Sequence, residues 1–157
     1  MGITRAYSIL GFMITLILSF VIASNIESYS HPESINFLRE SLLESLEFQK
    51  ENSNNPTLEE TFDKFISDLE YNLNERMYKK LSLVRIIGCI VALFGSVFLR
   101  QRKKIGLHLF LGGNMFVIMG SFYFLGLGLS GWVINFSYLV FATLSTLYFF
   151  RKRAYLI

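Results

Sequence analysis

Few side chains in this chain are equipped for chemistry, and those few sit in apolar surroundings. Arg85 lies inside the run of residues 81–99, where no other charge occurs. A guanidinium there offers a contact to an ion or an anionic substrate. It also offers a plainer role: its long stem can carry the charge to the headgroups, or to a partner in the preceding loop. Asn114, Asn135 and Tyr138 stand in two further apolar runs. They would serve as hydrogen-bonding glue between helices or, with Arg85, would line a polar path. His108 follows a basic cluster by four residues and could relay protons or simply be solvated. Cys89 behaves by default as a small buried residue.

The missing groups exclude more than the present ones suggest. No carboxylate lies in any apolar run, because all acidic residues fall between Glu27 and Glu75. Proton-coupled drug transporters of the small four-span type and intramembrane aspartyl proteases both need such a carboxylate. One cysteine forbids an internal disulfide and a four-span thiol oxidase of the ordinary kind. With two histidines beside it, a protein-only zinc site has too few ligands. There is no Gly-rich phosphate loop, no HExxH and no Ser–His spacing suggestive of a triad. The expectation is a non-enzymatic protein with no cofactor and no metal.

The elements that must hold these residues are membrane spans. The chain of 157 residues is 52% hydrophobic and contains 16 Phe, enough for one domain. It is 17% charged, against about 25% in soluble domains. A span needs about 20 mainly apolar residues, and four stretches qualify: 6–24, 81–99, 105–125 and 132–150. The expected fold is all-α, a four-transmembrane-helix bundle with a helical hairpin, residues 25–80, inserted between the first two spans. The first stretch also has features of a signal peptide, but its apolar part exceeds the usual length, and an uncleaved anchor is expected. The opening MGITRA has Ala6 where a myristoylation site needs Ser or Thr.

The basic residues set the orientation. Arg5, then Arg100, Arg102, Lys103 and Lys104, then Arg151, Lys152 and Arg153 occupy short segments without a single acid. The long loop carries six basic residues against twelve acidic ones. By the positive-inside rule, both termini and the RQRKK cluster belong in the cytoplasm and the loop outside, in a plasma membrane (the inner membrane of a bacterium). RQRKK is thus read as topogenic, with attraction to anionic lipid as a by-product. Net charge of +3 and pI near 9.0 do not make a nucleic-acid binder when the basic residues mark the ends of apolar runs. Arg76, Lys79 and Lys80, basic and beside a span on the outer side, run against this pattern.

The loop itself has helical periodicity. Ile35, Leu38, Leu42, Leu43 and Leu46 share a face, with Pro32 in the first turn. NSNNP, residues 52–56, reads as a turn. Thr57 and Glu60 then form a capping box ahead of Leu58, Phe62, Phe65, Ile66, Leu69 and Leu73 at helical spacing. No Gly or Pro interrupts residues 57–85. One continuous helix over residues 57–99, about 65 Å long, is therefore expected. The apolar stripe is wider than one neighbouring helix need cover, which marks it as a candidate partner-binding face, with Glu60, Asp63, Lys64, Asp68 and Glu75 solvated opposite.

Small residues recur along three spans. Gly11, Thr15, Ser19 and Ala23 are four apart, as are Gly88, Ala92 and Ser96; Gly106, Gly113 and Gly120 are seven apart. Such stripes let helix backbones approach closely in lipid, within the chain or between subunits.

The order of elements resembles claudin-type tetraspans, but the loop lacks their cysteine pair and aromatic-Gly-Leu motif and reads as helical. The stretch FGSVFLRQRKKIGLHLFLGGNMF, residues 94–116, is similar to small bacterial four-span membrane proteins, in which a basic cluster and Gly open the third span. It covers about a seventh of the chain, and the resemblance implies no activity, cofactor or site. The functional expectation is an accessory or scaffolding subunit whose partners are the bilayer and other membrane or extracytoplasmic proteins. The alternative is a small transporter or channel component using Arg85, Asn114 and Asn135.

Overall fold

The structure, a computed structural model, describes residues 2–53 and 55–151, with side chains from Ile9 onward. Among these residues the chain is helical without strands: α1 (Gly2–Ser30), α2 (Ser34–Glu51), α3 (Pro56–Asn72), α4 (Glu75–Arg100), α5 (Ile105–Leu125) and α6 (Leu129–Arg151). Four of them, α1, α4, α5 and α6, are long and apolar enough to cross a membrane. Their outward surfaces carry large apolar side chains in mid-helix, such as Phe20, Met119, Phe136 and Leu144, each more than 60% exposed. A water-facing bundle would expose polar groups there, so this surface suits lipid.

The bundle is organised around α4. It runs antiparallel to α5, and the two backbones meet where both sequences are small. A Cβ placed on Gly95 would strike the Phe110 backbone and the Gly106 carbonyl. One on Gly106 would meet the Leu99 nitrogen at 2.6 Å, and one on Gly113 would come within 2.5 Å of the Ala92 nitrogen and the Gly88 carbonyl. Gly120 faces Val84 further along. The seam is thus made of Gly88, Ala92 and Gly95 on α4 and Gly106, Gly113 and Gly120 on α5, and it lies within the chain. In lipid this close approach supplies the dispersion contacts that hold helices together.

α1 packs on another side of α4. Gly11 admits the aliphatic part of Arg100, and the Thr15 and Ser96 hydroxyls share a 3.0 Å hydrogen bond. Ser28 and Tyr78 do the same at 2.9 Å near the other end. The four-residue stripe is only half used, because Ser19 and Ala23 are exposed. Ile14 and Leu18 are buried in their place. A helix advances about 100° per residue, so a strict four-residue spacing drifts off a straight seam, and the contact line moves to the neighbouring positions. α6 closes on α5 through Phe149, which meets Phe110 edge-on at 5.2 Å.

The turn between α4 and α5 reuses RQRKK. Arg102 adopts φ 61°, its N–H donating to the Leu99 carbonyl (2.9 Å) while that of Lys103 donates to Phe98 (3.0 Å). This is the paired closure of a Schellman motif, with Arg where Gly is usual. The α5–α6 turn is opened by Gly126, at φ 75°, a conformation glycine adopts without a steric cost.

The continuous helix expected over residues 57–99 is broken. α3 ends at Asn72 and α4 starts at Glu75, with Leu73 outside helical geometry and Asn74 extended. The Asn74 side chain accepts the Met77 N–H at 3.0 Å, an N-cap that starts a new helix. Leu73 is buried and Leu69 with it, in a cluster with Ile35, Leu46, Leu81 and Leu125. A straight helix would carry residues 57–72 away from the bundle; the break lets α3 fold down onto it. α3 also begins differently from expectation. Asn55 caps it through the Thr57 N–H (3.0 Å), and Pro56 occupies the first turn; the Thr57–Glu60 box is not the cap. The outer helices run longer than the expected spans, with α1 reaching Ser30 and α4 starting at Glu75.

Candidate functional site

Ion pairs outside the spans link neighbouring turns and helices. Lys50 donates to Asp63 between α2 and α3, and Lys64 to Glu60 along α3. These contacts hold the Lys50 ammonium above its ordinary range and the Glu60 carboxyl below its own. Three of the four side chains are largely exposed and Lys50 is half-buried, so the pairs contribute little.

The polar groups within the spans are different, because they converge. α4 presents Ser82, Arg85 and Cys89 about one turn apart, and α6 presents Asn135 and Tyr138 to them. Arg85 Nη2 donates to Asn135 Oδ1 at 2.9 Å, and the Asn135 amide donates back to the Gly131 carbonyl at 2.8 Å. That second bond turns the Asn135 oxygen toward the guanidinium. The Tyr138 hydroxyl donates to Asn114 Oδ1 of α5 at 2.8 Å, and the Asn114 amide donates to the Phe110 carbonyl at 2.8 Å. Cys89 Sγ lies 3.8 Å from the Tyr138 hydroxyl. Arg85, Asn114 and Asn135 are thus brought into one region, bonded in pairs across helix interfaces.

Arg85 is half-buried, and among the described residues no loop carboxylate is bonded to it. Among the described residues its hydrogen-bond partner is the neutral Asn135 amide, and its Nε is enclosed without any partner. The Ser82 and Ser121 hydroxyls are enclosed without partners too. One side of Arg85 faces a crevice of about 340 Å³ between α1 and α6, lined by Ile17, Phe20, Val21, Ser24 and Asn25 of α1 and by Ile134, Ser137, Tyr138 and Phe141 of α6. Sequence reasoning singled out Arg85 and Asn135 but not Ser24, Asn25 and Ser137, which belong to the site only because α1 and α6 approach each other over α4.

The other expected residues are distributed as follows. Of the α3 stripe, Leu69 and Leu73 are buried, Phe62, Phe65 and Ile66 are half-buried against α2, and Leu58 is exposed. All of that face but Leu58 lies in or against the cluster that α3 shares with α2, α4 and α5. Asp68 was expected to be solvated; it instead meets the start of α6, where Ser130 donates to its carboxylate at 3.4 Å. A Cβ at Gly128 would collide with that carboxylate. A negative charge at a helix N-terminus is favourable, so this contact locks α3 to α6. No sequence signal beyond the bare Gly128 points to it.

Arg100, Arg102, Lys103 and Lys104 sit at one end of the bundle, where α6 also ends at Arg151; Lys152 and Arg153 lie outside the described residues. Arg100 and Lys103 stand over the rings of Phe12 and Phe98, at 5.8 and 5.3 Å. At the opposite end Lys79 and Lys80 stand over Tyr29 and Phe124, at 4.9 and 5.9 Å. His108 is at the basic end, with Nδ1 3.3 Å from the Lys104 carbonyl, distant along α5 from the polar groups.

No protein-family model matches the chain, and no curated protein or solved structure matches it either. The site must be read from its own geometry. That geometry is a guanidinium held by an oriented amide beside a crevice, with the Cys89 thiol and the Tyr138 hydroxyl nearby.

Proposed function

We propose that this is a multi-pass protein of the plasma membrane, the inner membrane in a bacterium, acting as a non-enzymatic accessory subunit of a larger membrane assembly. Both termini and the RQRKK turn face the cytoplasm, and α2 and α3 form an acidic helical pair outside. The orientation rests on the gathering of Arg100, Arg102, Lys103, Lys104 and Arg151 at one end without acids. Of the basic residues at the other end, Arg76, Lys79 and Lys80, the two lysines stand over aromatic rings.

One observation favours a subunit over a conduit. The tightest interface in the bundle, α4 against α5, is closed backbone to backbone by Gly88, Gly95, Gly106 and Gly113. Nearby, Arg85 with Asn135 and Tyr138 with Asn114 make bonds between helices. The transporter reading draws on the Arg85 crevice between α1 and α6.

With most of the α3 stripe consumed, the docking surface is placed on exposed aromatics of the outer pair, Phe37 and Phe48 on α2 and Tyr71 on α3, which are 81%, 68% and 80% exposed. A photo-crosslinking residue at Phe48 or Tyr71, in cells at native expression, is expected to give a discrete adduct with another protein. The same residue at Met119, on the outer surface of α5, should give lipid adducts. Lipid or no adducts at both loop positions would contradict the subunit reading.

A further inference from the structure

We propose that the crevice between α1 and α6 is a binding site for a membrane amphiphile with an anionic head, an anionic phospholipid entering from the bilayer. Arg85 would hold the head, and the apolar walls would hold the start of a chain.

Charge balance comes first. A guanidinium inside a span is retained where an opposite charge, a backbone carbonyl or water meets it. Among the described residues Arg85 has one amide oxygen, on Nη2, while its Nε is enclosed and unpaired. No Asp or Glu occurs between residues 76 and 157, or before residue 27. The described residues supply no anion, and the crevice is the open side from which one can arrive.

The shape of the crevice selects the kind of anion. Its volume, about 340 Å³, is at the low end of small-molecule sites, which run from about 300 to 1,000 Å³. That holds a headgroup and the first methylenes, but not a folded peptide. Its walls are divided. Ser24 and Asn25 lie toward the end of α1 that leads into α2, while Ile17 and Phe20 lie one to two turns deeper. The Asn25 amide N–H is already committed to the Val21 carbonyl at 2.7 Å. An amphiphile whose head lies level with Arg85, Ser24 and Ser137, and whose chain passes Ile17, Phe20 and Phe141, matches this division. Phe20 at the rim is 75% exposed, so the entrance faces the lipid. A planar guanidinium suits a phosphodiester oxygen pair, which a point-charge ammonium would hold less well.

The test uses the full chain, stripped of lipid in a neutral detergent. Short-chain phosphatidylglycerol, phosphatidylcholine of equal chain length and inorganic phosphate are titrated separately, with bound lipid counted by native mass spectrometry and thermal midpoint followed in parallel. Phosphatidylglycerol is expected to bind at one site at least tenfold more tightly than phosphatidylcholine, and to raise the midpoint. Inorganic phosphate should do neither at millimolar concentration. Arg85→Gln should abolish the preference and Arg85→Lys should retain part of it. Ile17→Trp, which fills the crevice from a half-exposed position while leaving Arg85 in place, should weaken binding tenfold or more. Lys103→Gln, in the basic turn, should change nothing. Equal affinity for the two lipids in the unaltered chain would overturn the proposal. So would an equal effect of inorganic phosphate, which would make the occupant a free anion. A preference that survives Ile17→Trp but is lost in Lys103→Gln would place the lipid at the basic turn instead. Should Arg85→Gln not fold, the Ile17 and Lys103 variants decide.

Discussion

Replacing Gly113 with alanine is expected to destabilise the bundle by about 1–3 kcal/mol, while the same change at the adjacent Gly112 leaves it unaffected or slightly more stable. The two glycines differ in what a methyl group meets. At Gly113 it would lie 2.5 Å from both the Ala92 nitrogen and the Gly88 carbonyl, and 3.0 Å from the Ala92 Cα. These are backbone atoms, which cannot swing aside, so α4 and α5 must separate along the seam. At Gly112 there is nothing within 4 Å. There the intrinsic helix preference for alanine, worth up to about 1 kcal/mol in water, is the remaining effect. Unfolding in mixed micelles at increasing denaturing-detergent fraction reads the difference directly. Equal losses at the two positions would mean that α4 and α5 do not meet through this face.

A comparable contrast separates core from surface on α3. Leu69→Ala is expected to cost about 2–5 kcal/mol, the range for large-to-small changes in a core that cannot collapse. Leu69 is 1% exposed and packs in the cluster that joins α2 and α3 to α4 and α5. Leu58→Ala, at a position 49% exposed, should stay within about 0.5 kcal/mol. Both residues belong to one helical stripe, so a surface reserved for an outside partner would show little loss at either in the isolated chain. The same unfolding assay, together with protease sensitivity of residues 31–72, distinguishes the outcomes. A negligible effect of Leu69→Ala would show that α3 does not dock on the bundle.

The spans were legible because lipid imposes a strong and simple pattern: length, apolar content and basic ends. The small-residue stripes on α4 and α5 were legible for a related reason, since close backbone approach admits few residue types. The break at Leu73–Asn74 was not. No Gly or Pro marks it, and Asn74 acts as a cap only because burial of Leu69 and Leu73 against the bundle rewards a bend there. Propensity along residues 57–85 favours helix throughout, and tertiary packing overrides it at one point. Ser19 and Ala23 mislead for the opposite reason: their spacing fits a stripe, but α1 meets α4 along Gly11, Ile14 and Leu18. Of the candidate site, the sequence could name Arg85 and Asn135 as unusual in apolar runs. It could not show that Asn135 lies 2.9 Å from that guanidinium, or that α1 and α6 leave a crevice beside it. Those facts depend on the order in which helices surround α4, which periodicity does not encode.

The arrangement of this chain across a membrane is tested most directly by which side each end of the bundle reaches. Single cysteines at Gln49, exposed on α2, and at Lys103, exposed in the basic turn, are introduced after the buried Cys89 is changed to alanine. A membrane-impermeant maleimide applied to intact cells should label position 49 at once and position 103 only after permeabilisation. Labelling of position 103 in intact cells with position 49 protected would contradict the orientation, and labelling of both from one side would contradict the four-span arrangement itself.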